Sequence, residues 1–133
     1  GYLSFQGAGT SSGRGKAAPW CVEVWGVDGG LDREHYPMNL VSFQQALGVP
    51  LQLYAPYFCP STIYFGNATN GNWKSVSSDP TLPGCEAFSF KNINALEAQD
   101  FYGWFYDKGL NAGMVSFESD FMNQNFNCVP DFI

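Results

Sequence analysis

Glu118-Ser119-Asp120 places two carboxylates two residues apart, directly after the short apolar run at residues 112–117. While an extended strand persists, residues two apart point to the same face, so both carboxylates would share one side. Paired carboxylates are what glycoside hydrolysis needs: one acts as nucleophile or base, and another as acid across the scissile bond. Two same-face neighbours sit too close to flank a bond. One of them would therefore act as the nucleophile, the other would bind or orient, and the acid would come from elsewhere. The competing reading makes both the first solvated residues after a strand.

Asp28, before Gly29-Gly30, has two roles open to it. Its carboxylate could bind sugar hydroxyls, or it could hydrogen-bond its own backbone in an Asx turn. Trp25, Tyr54, Tyr57, Trp73 and Trp104 are candidate platforms for stacking a sugar ring, and a place in the core competes for each. His35, the single histidine, lies in a charged loop with no Ser or Cys nucleophile motif nearby, which argues against a triad. Residues 9–16 resemble a phosphate-binding loop only superficially. Thr10 stands where the first glycine belongs, and Ala17 where a Ser or Thr would hold Mg²⁺.

The elements that must position these residues follow from periodicity. Residues 1–19 are rich in Gly, Ser and Ala and read as an N-terminal segment outside the main domain at 20–133. Residues 20–27 are apolar and β-branched and predict a first strand running into the turn at Asp28. Asn39 caps a predicted helix at 40–47, which Gly48 ends. Residues 49–58 predict a second strand, with Pro50 at its start and Pro56 ending its ladder. A long polar connection at 59–91 follows. Asn94 to Glu97 resembles a capping box, opening a helix to Lys108 that Gly109 closes. The third strand is predicted at 112–117, and 121–127 as a polar, aromatic loop. Strand, helix, strand, helix, strand is the parallel α/β arrangement, and right-handed crossovers would bring Asp28, Tyr54–Tyr57 and Glu118/Asp120 to one edge.

Composition narrows the function classes. The chain of 133 residues is 45% hydrophobic and 17% aromatic, which argues for a packed core and against disorder. Only 14% is charged, a proportion that suggests surface buried against partners or a part of a larger protein. Gly1 is not an initiator methionine, so the chain reads as processed, excised or incomplete. A net charge of −6 disfavours nucleic acid, and no apolar run approaches the roughly 20 residues of a membrane span. Cys21, Cys59, Cys85 and Cys128 lack the paired spacing of a zinc site. With the sequon Asn67-Ala68-Thr69 as a glycosylation acceptor, the even cysteine count favours a secreted or lumenal disulfide protein. Cys59 and Cys85 flank the long loop and are expected to pair, leaving Cys21 with Cys128.

The layout resembles the second to fourth strand units of the barrel in the melibiase-like clan of glycoside hydrolases, which holds the α-galactosidases and raffinose synthases. Val27-Asp28-Gly29-Gly30 stands where that family has an acidic, glycine-containing strand end that contacts sugar. Leu51-Gln52-Leu53-Tyr54-Ala55-Pro56 resembles its strand opening onto the sugar, and Glu118 to Asn123 stands at its nucleophile motif. Glu118 occupies the place of a lysine, reversing the local charge.

The resemblance implies an α/β fold, an incomplete (β/α)8 barrel. It implies Asp120 as the nucleophile and Asp28 and Glu118 as sugar-contacting carboxylates, with Trp25 and Tyr54 kept from the residue pattern as the substrate-binding aromatics. It also implies a retaining reaction on α-glycosides that needs no cofactor. A whole barrel needs about 200 residues or more, so the remaining strands and the general acid would come from the rest of a barrel or another chain. The alternative is a non-enzymatic secreted glycoprotein that assembles with itself or a partner through open sheet edges and aromatic surface.

Overall fold

The computed structural model describes residues 3–6, 21–28, 39–54, 57–119 and 122–130, with the backbone alone described for 3–6 and Tyr54. Among the described residues, helices and strands are mixed and the strands form two small sheets. The larger is parallel, with β1 (Leu3–Gln6), β2 (Leu51–Tyr54) and β5 (Met114–Glu118) in the order β1-β2-β5. The smaller pairs β3 (Ser75–Ser77) with β4 (Lys91–Ile93) antiparallel.

The first strand is therefore not at 20–27. Leu3–Gln6, in the Gly/Ser-rich segment expected to stand outside the domain, pairs with β2 instead. The described part of 20–27 is tied elsewhere. Cys21 is bonded to Cys59, and Val22 forms a single parallel bridge with Phe58. The Glu23 carbonyl accepts from Ile63 N (3.1 Å) and Thr62 Oγ1 (2.9 Å). Gly26–Asp28 then winds into a 3-10 turn. Strand propensity in this run is real, but its backbone groups are claimed by residues 57–63 before a sheet can use them.

Helix α1 (Leu40–Leu47) forms where the pattern predicts, with Asn39 Oδ1 accepting from Ser42 N at 2.8 Å and Gly48 closing it. Asn94 caps the turn Ala95–Glu97, its Oδ1 accepting from Leu96 N at 2.9 Å, and α2 (Ala98–Asn111) continues from it. The capping box is not completed. Asn94 N donates to Lys74 O (2.9 Å), while Glu97 Oε2 accepts from Lys74 N (2.7 Å), so the glutamate clamps the neighbouring loop.

Gly109 does not end α2. It is buried within the helix, where a Cβ would lie 2.8 Å from Met114 Sδ and 3.0 Å from Trp25 Cη2. The glycine is there for close approach, and the chain turns into β5 at Gly113, whose φ of +87° suits a residue without a Cβ.

The core lies between α2 and the parallel sheet. Phe101 and Phe105 stack on one another (5.5 Å between centroids), and Trp25 stacks on Phe105 at 4.1 Å. Phe58 meets both phenylalanines edge-on. Each such pair contributes about 0.5–1.5 kcal/mol beyond its buried area, so a chain with few charges can still hold a specific core.

A second cluster, with Tyr57, Val76, Phe90 and Val129, surrounds the disulfides. These join Cys21 to Cys59 and Cys85 to Cys128, not Cys59 to Cys85 as loop flanking suggests. The reason lies in the 59–91 connection. It is no open loop: it carries β3 and runs into β4, and Tyr57 stacks on Phe90 at 4.7 Å. Cys59 is held beside Cys21 by the Val22–Phe58 bridge. Cys85 meets the end of α3 (Met122–Asn127), a helix where a loop was expected. The asparagines that lower helix propensity there are offset by burial of Asn125 and by the disulfide at Cys128.

Candidate strand-end site

Glu118 is the last residue of β5 and is exposed, opposite Tyr54 at the end of β2. Both strands run parallel, so these are the carboxyl ends of neighbouring strands, the edge on which α/β proteins build sites.

The two faces of the sheet differ in character. On one face Leu51 and Leu53 are buried, and Phe117, opposite Leu53, touches Trp25 (6.0 Å), Phe105 (6.4 Å) and Tyr106 (4.8 Å). On the other face lie Gln52, Ser116 and Glu118, and Gln52 Nε2 donates to Glu118 Oε2. The alternation survives a register step. Leu51 lies opposite Met114 and Gln52 opposite Ser116, which leaves Val115 as an extra, exposed residue on β5. Gln52 enters the sequence analysis only as part of the strand at 51–56, although its place on the polar face follows from the alternation with Leu51 and Leu53.

Asp120, the proposed nucleophile, lies outside the described residues, as do His35 and residues 9–16. The backbone of Tyr54 is at the sheet edge, and its side chain is likewise outside the description.

Asp28 does not follow a sheet strand. It ends the 3-10 turn, and both carboxylate oxygens are engaged: Lys108 Nζ donates to Oδ1 at 2.8 Å and the Tyr64 hydroxyl to Oδ2 at 2.7 Å. The Tyr64 oxygen in turn accepts from Trp25 N at 2.8 Å. Tyr64 is buried, and this burial first, with the Asp28 charge adding to it, pushes its hydroxyl far above the ordinary tyrosine range. It therefore stays a donor. Lys108, which also lies 4.6 Å from the centre of the Trp104 ring, ties Asp28 to α2. This is a cross-brace between segments, and it fills one acceptor position on each oxygen of the Asp28 carboxylate.

Of the expected stacking platforms, Trp25 is 1% exposed and Tyr57 3%, so both are core residues and offer no face to a sugar. Trp104 and Trp73 are half-buried against Phe101, and among the described residues the buried Trp73 indole N–H has no hydrogen-bond partner.

A cavity of about 570 Å³ opens on the flank of α2, lined by Tyr102, Tyr106, Ser119, Met122, Asn92 and Phe126 among others. Tyr106 touches Phe117, so the cavity is on the helix side of the sheet, away from the Gln52–Glu118 face. Burial, and secondarily its neighbour Tyr106, pushes Tyr102 up to about 12, and burial raises Tyr106 too. Among the described residues no cluster of His, Cys, Asp or Glu could hold a metal ion, and no helix is long and apolar enough to cross a membrane.

Comparison with family models, curated proteins and solved structures finds no match to this chain.

Proposed function

We propose that the chain is a carbohydrate-active segment of a retaining glycoside hydrolase that acts on α-glycosides. Its strands would be consecutive members of a (β/α)8-like barrel. The observation that carries the reading is the two-faced parallel sheet. Its apolar face packs on α2 while its other face leads, through Gln52 and Ser116, to an exposed carboxylate at the strand end. A barrel strand needs that division, with one face for the helix layer and one for the interior.

In this reading Asp120 attacks the anomeric carbon. The glycosidic oxygen leaves with a proton from an acid on another strand, and water then hydrolyses the glycosyl ester. Glu118, held by Gln52, accepts from sugar hydroxyls. Asp28, with both oxygens engaged, takes no part in binding.

The test is hydrolysis of aryl α-glycosides by the full-length protein and its variants. Asp120→Asn should abolish turnover. Glu118→Gln, which replaces a charged acceptor by a neutral one, should raise KM by roughly tenfold, about 1.4 kcal/mol. Unchanged turnover in Asp120→Asn would remove Asp120 from the mechanism.

A second reading, a secreted protein that assembles through its sheet edge, draws on one observation. Among the described residues β5 is an edge strand, and its Val115 is 66% exposed. Val115→Lys would then shift the sedimenting species to monomer and leave any turnover unchanged.

A further inference from the structure

The polar turn at residues 66–72 lies apart from the strand-end residues and from the cavity, and its chemistry points to a modification. We propose that Asn67 carries an N-linked glycan in the folded protein.

Asn67-Ala68-Thr69 is the sole Asn-x-Ser/Thr triplet in the chain, and its middle residue is not proline. The compartment agrees. All four cysteines are oxidised, as Cys21–Cys59 and Cys85–Cys128, which is the state of proteins that pass through an oxidising lumen.

The geometry presents the acceptor atom. Asn67 caps the 3-10 turn Ala68–Asn70, and its Oδ1 accepts from Thr69 N at 3.0 Å. That bond fixes the plane of the amide and directs Nδ2 away from the turn. Among the described residues Nδ2 has no hydrogen-bond partner, and it is not among the buried unsatisfied atoms. It is therefore not sealed from solvent: Asn67 is half-buried, and Ala68, Thr69, Gly71 and Asn72 around it are exposed.

The turn is held from beneath rather than by the acceptor itself. Asn70 and Asn72 N donate to Asn67 O at 3.0 and 2.9 Å, Asn70 Nδ2 to Ile63 O at 2.9 Å, and Gly66 N to Trp73 O at 3.0 Å. A sugar on Nδ2 breaks none of these bonds. The transfer itself balances with a lipid-pyrophosphate oligosaccharide as donor. The anomeric carbon–oxygen bond to pyrophosphate breaks, a bond from that carbon to Nδ2 forms, the amide gives up one proton, and the lipid pyrophosphate leaves.

The glycan would leave the cavity open. The turn packs through Trp73 onto Trp104 and Phe101, whereas the cavity uses Tyr102 and Tyr106. At about 100° per residue, positions 102 and 104 lie on different flanks of α2.

The proposal is tested by directing the protein into the secretory pathway of eukaryotic cells. The lumenal and secreted pools are then digested with peptide-N-glycosidase in heavy-oxygen water. Wild-type protein should migrate as a retarded band that collapses on digestion, leaving a heavy-labelled aspartate at position 67. Thr69→Ala retains the Asn67 cap and destroys the acceptor triplet, so it should migrate with the digested form. Asn67→Gln should do the same. Because the lumenal pool is read as well, a variant that is poorly exported still reports its occupancy. Disulfide-bonded wild-type protein with unlabelled Asn67 in both pools would overturn the proposal, and the carbohydrate-active reading would stand unaffected.

Discussion

Asp28→Ala distinguishes a ligand-binding carboxylate from a cross-brace. The Tyr64 hydroxyl donates to Asp28 at 2.7 Å, a bond to a charged acceptor that contributes about 1.5–3 kcal/mol when one partner is buried. The Lys108 pair is 2.8 Å long, with side chains 27% and 22% exposed. It is better shielded than a surface pair, so about 1 kcal/mol is a fair figure. The alanine variant should therefore lose about 3 kcal/mol, the two effects falling short of additive because they share one carboxylate.

Asp28→Asn keeps an acceptor for Tyr64 and should lose about half of that, and Lys108→Met about 1 kcal/mol. Tyr64→Phe should approach the alanine variant, because it also strips the Trp25 N–H of its acceptor. In urea melts the midpoint should fall with an unchanged slope, and the thermal midpoint should drop by roughly 10 °C for the alanine variant. A double-mutant cycle between Asp28→Ala and Lys108→Met should show a coupling of about 1 kcal/mol. If Asp28→Ala were within about 0.5 kcal/mol of wild type, the brace would be wrong. If it instead abolished glycoside binding at unchanged stability, Asp28 would belong to the sugar site after all.

Three further outcomes follow. Peptide mapping without reduction should link Cys21 to Cys59 and Cys85 to Cys128, and a fragment joining Cys59 to Cys85 would contradict the structure. Removing either disulfide by double alanine substitution should cost about 4 kcal/mol in the chain-entropy model, the bridged separations being 38 and 43 residues. Gly109→Ala gains about 1 kcal/mol of helix propensity but pushes on Met114 and on the stacked Trp25. It should be net destabilising by about 1 kcal/mol in the same melts.

Tyr102, held at about 12, and the raised Tyr57 and Tyr106 favour the protonated form in the fold. A raised folded pKa gives stability that is whole below the unfolded value of about 10 and is lost as pH climbs toward about 12. Tyrosinate absorbance should therefore lag behind that of the urea-unfolded chain across this window.

What was legible in the sequence is what short-range chemistry decides. Asn39 and Gly48 bracket α1 because capping is local, and the apolar run before Glu118 is a strand because its alternation and flanking glycine are local. The errors arose where a distant partner outbids local preference. Residues 20–27 look like a strand, but Val22, Glu23 and Cys21 are bound to residues 57–63. Gly109 looks like a stop, but the space it leaves is filled by Trp25 and Met114. Glu97 looks like a capping residue, but Lys74 N reaches it first. The strand order likewise hinged on β1, which sits in a composition that announces nothing. Of the candidate site, the edge and Glu118 were readable, whereas the Lys108–Asp28–Tyr64 connection spans 80 and 36 residues and leaves no local trace.

That connection bears on the site in a way that spacing alone could not show. Through Lys108, Asp28 ties the 3-10 turn Gly26–Asp28 to α2, and α2 supplies the wall of Phe105 and Tyr106 against which Phe117 is set. Phe117 facing the helix obliges Glu118 to face the other way. The residue that resembles a sugar ligand thus acts at one remove: it holds the helix that fixes the orientation of the strand end. The direct contact to Glu118 comes from Gln52, on a neighbouring strand and the same face. Gln52→Leu should accordingly disturb any binding at Glu118 more than Asp28→Asn does. The reverse order in binding assays at equal folded fraction would show that the brace, not the strand neighbour, governs the carboxylate.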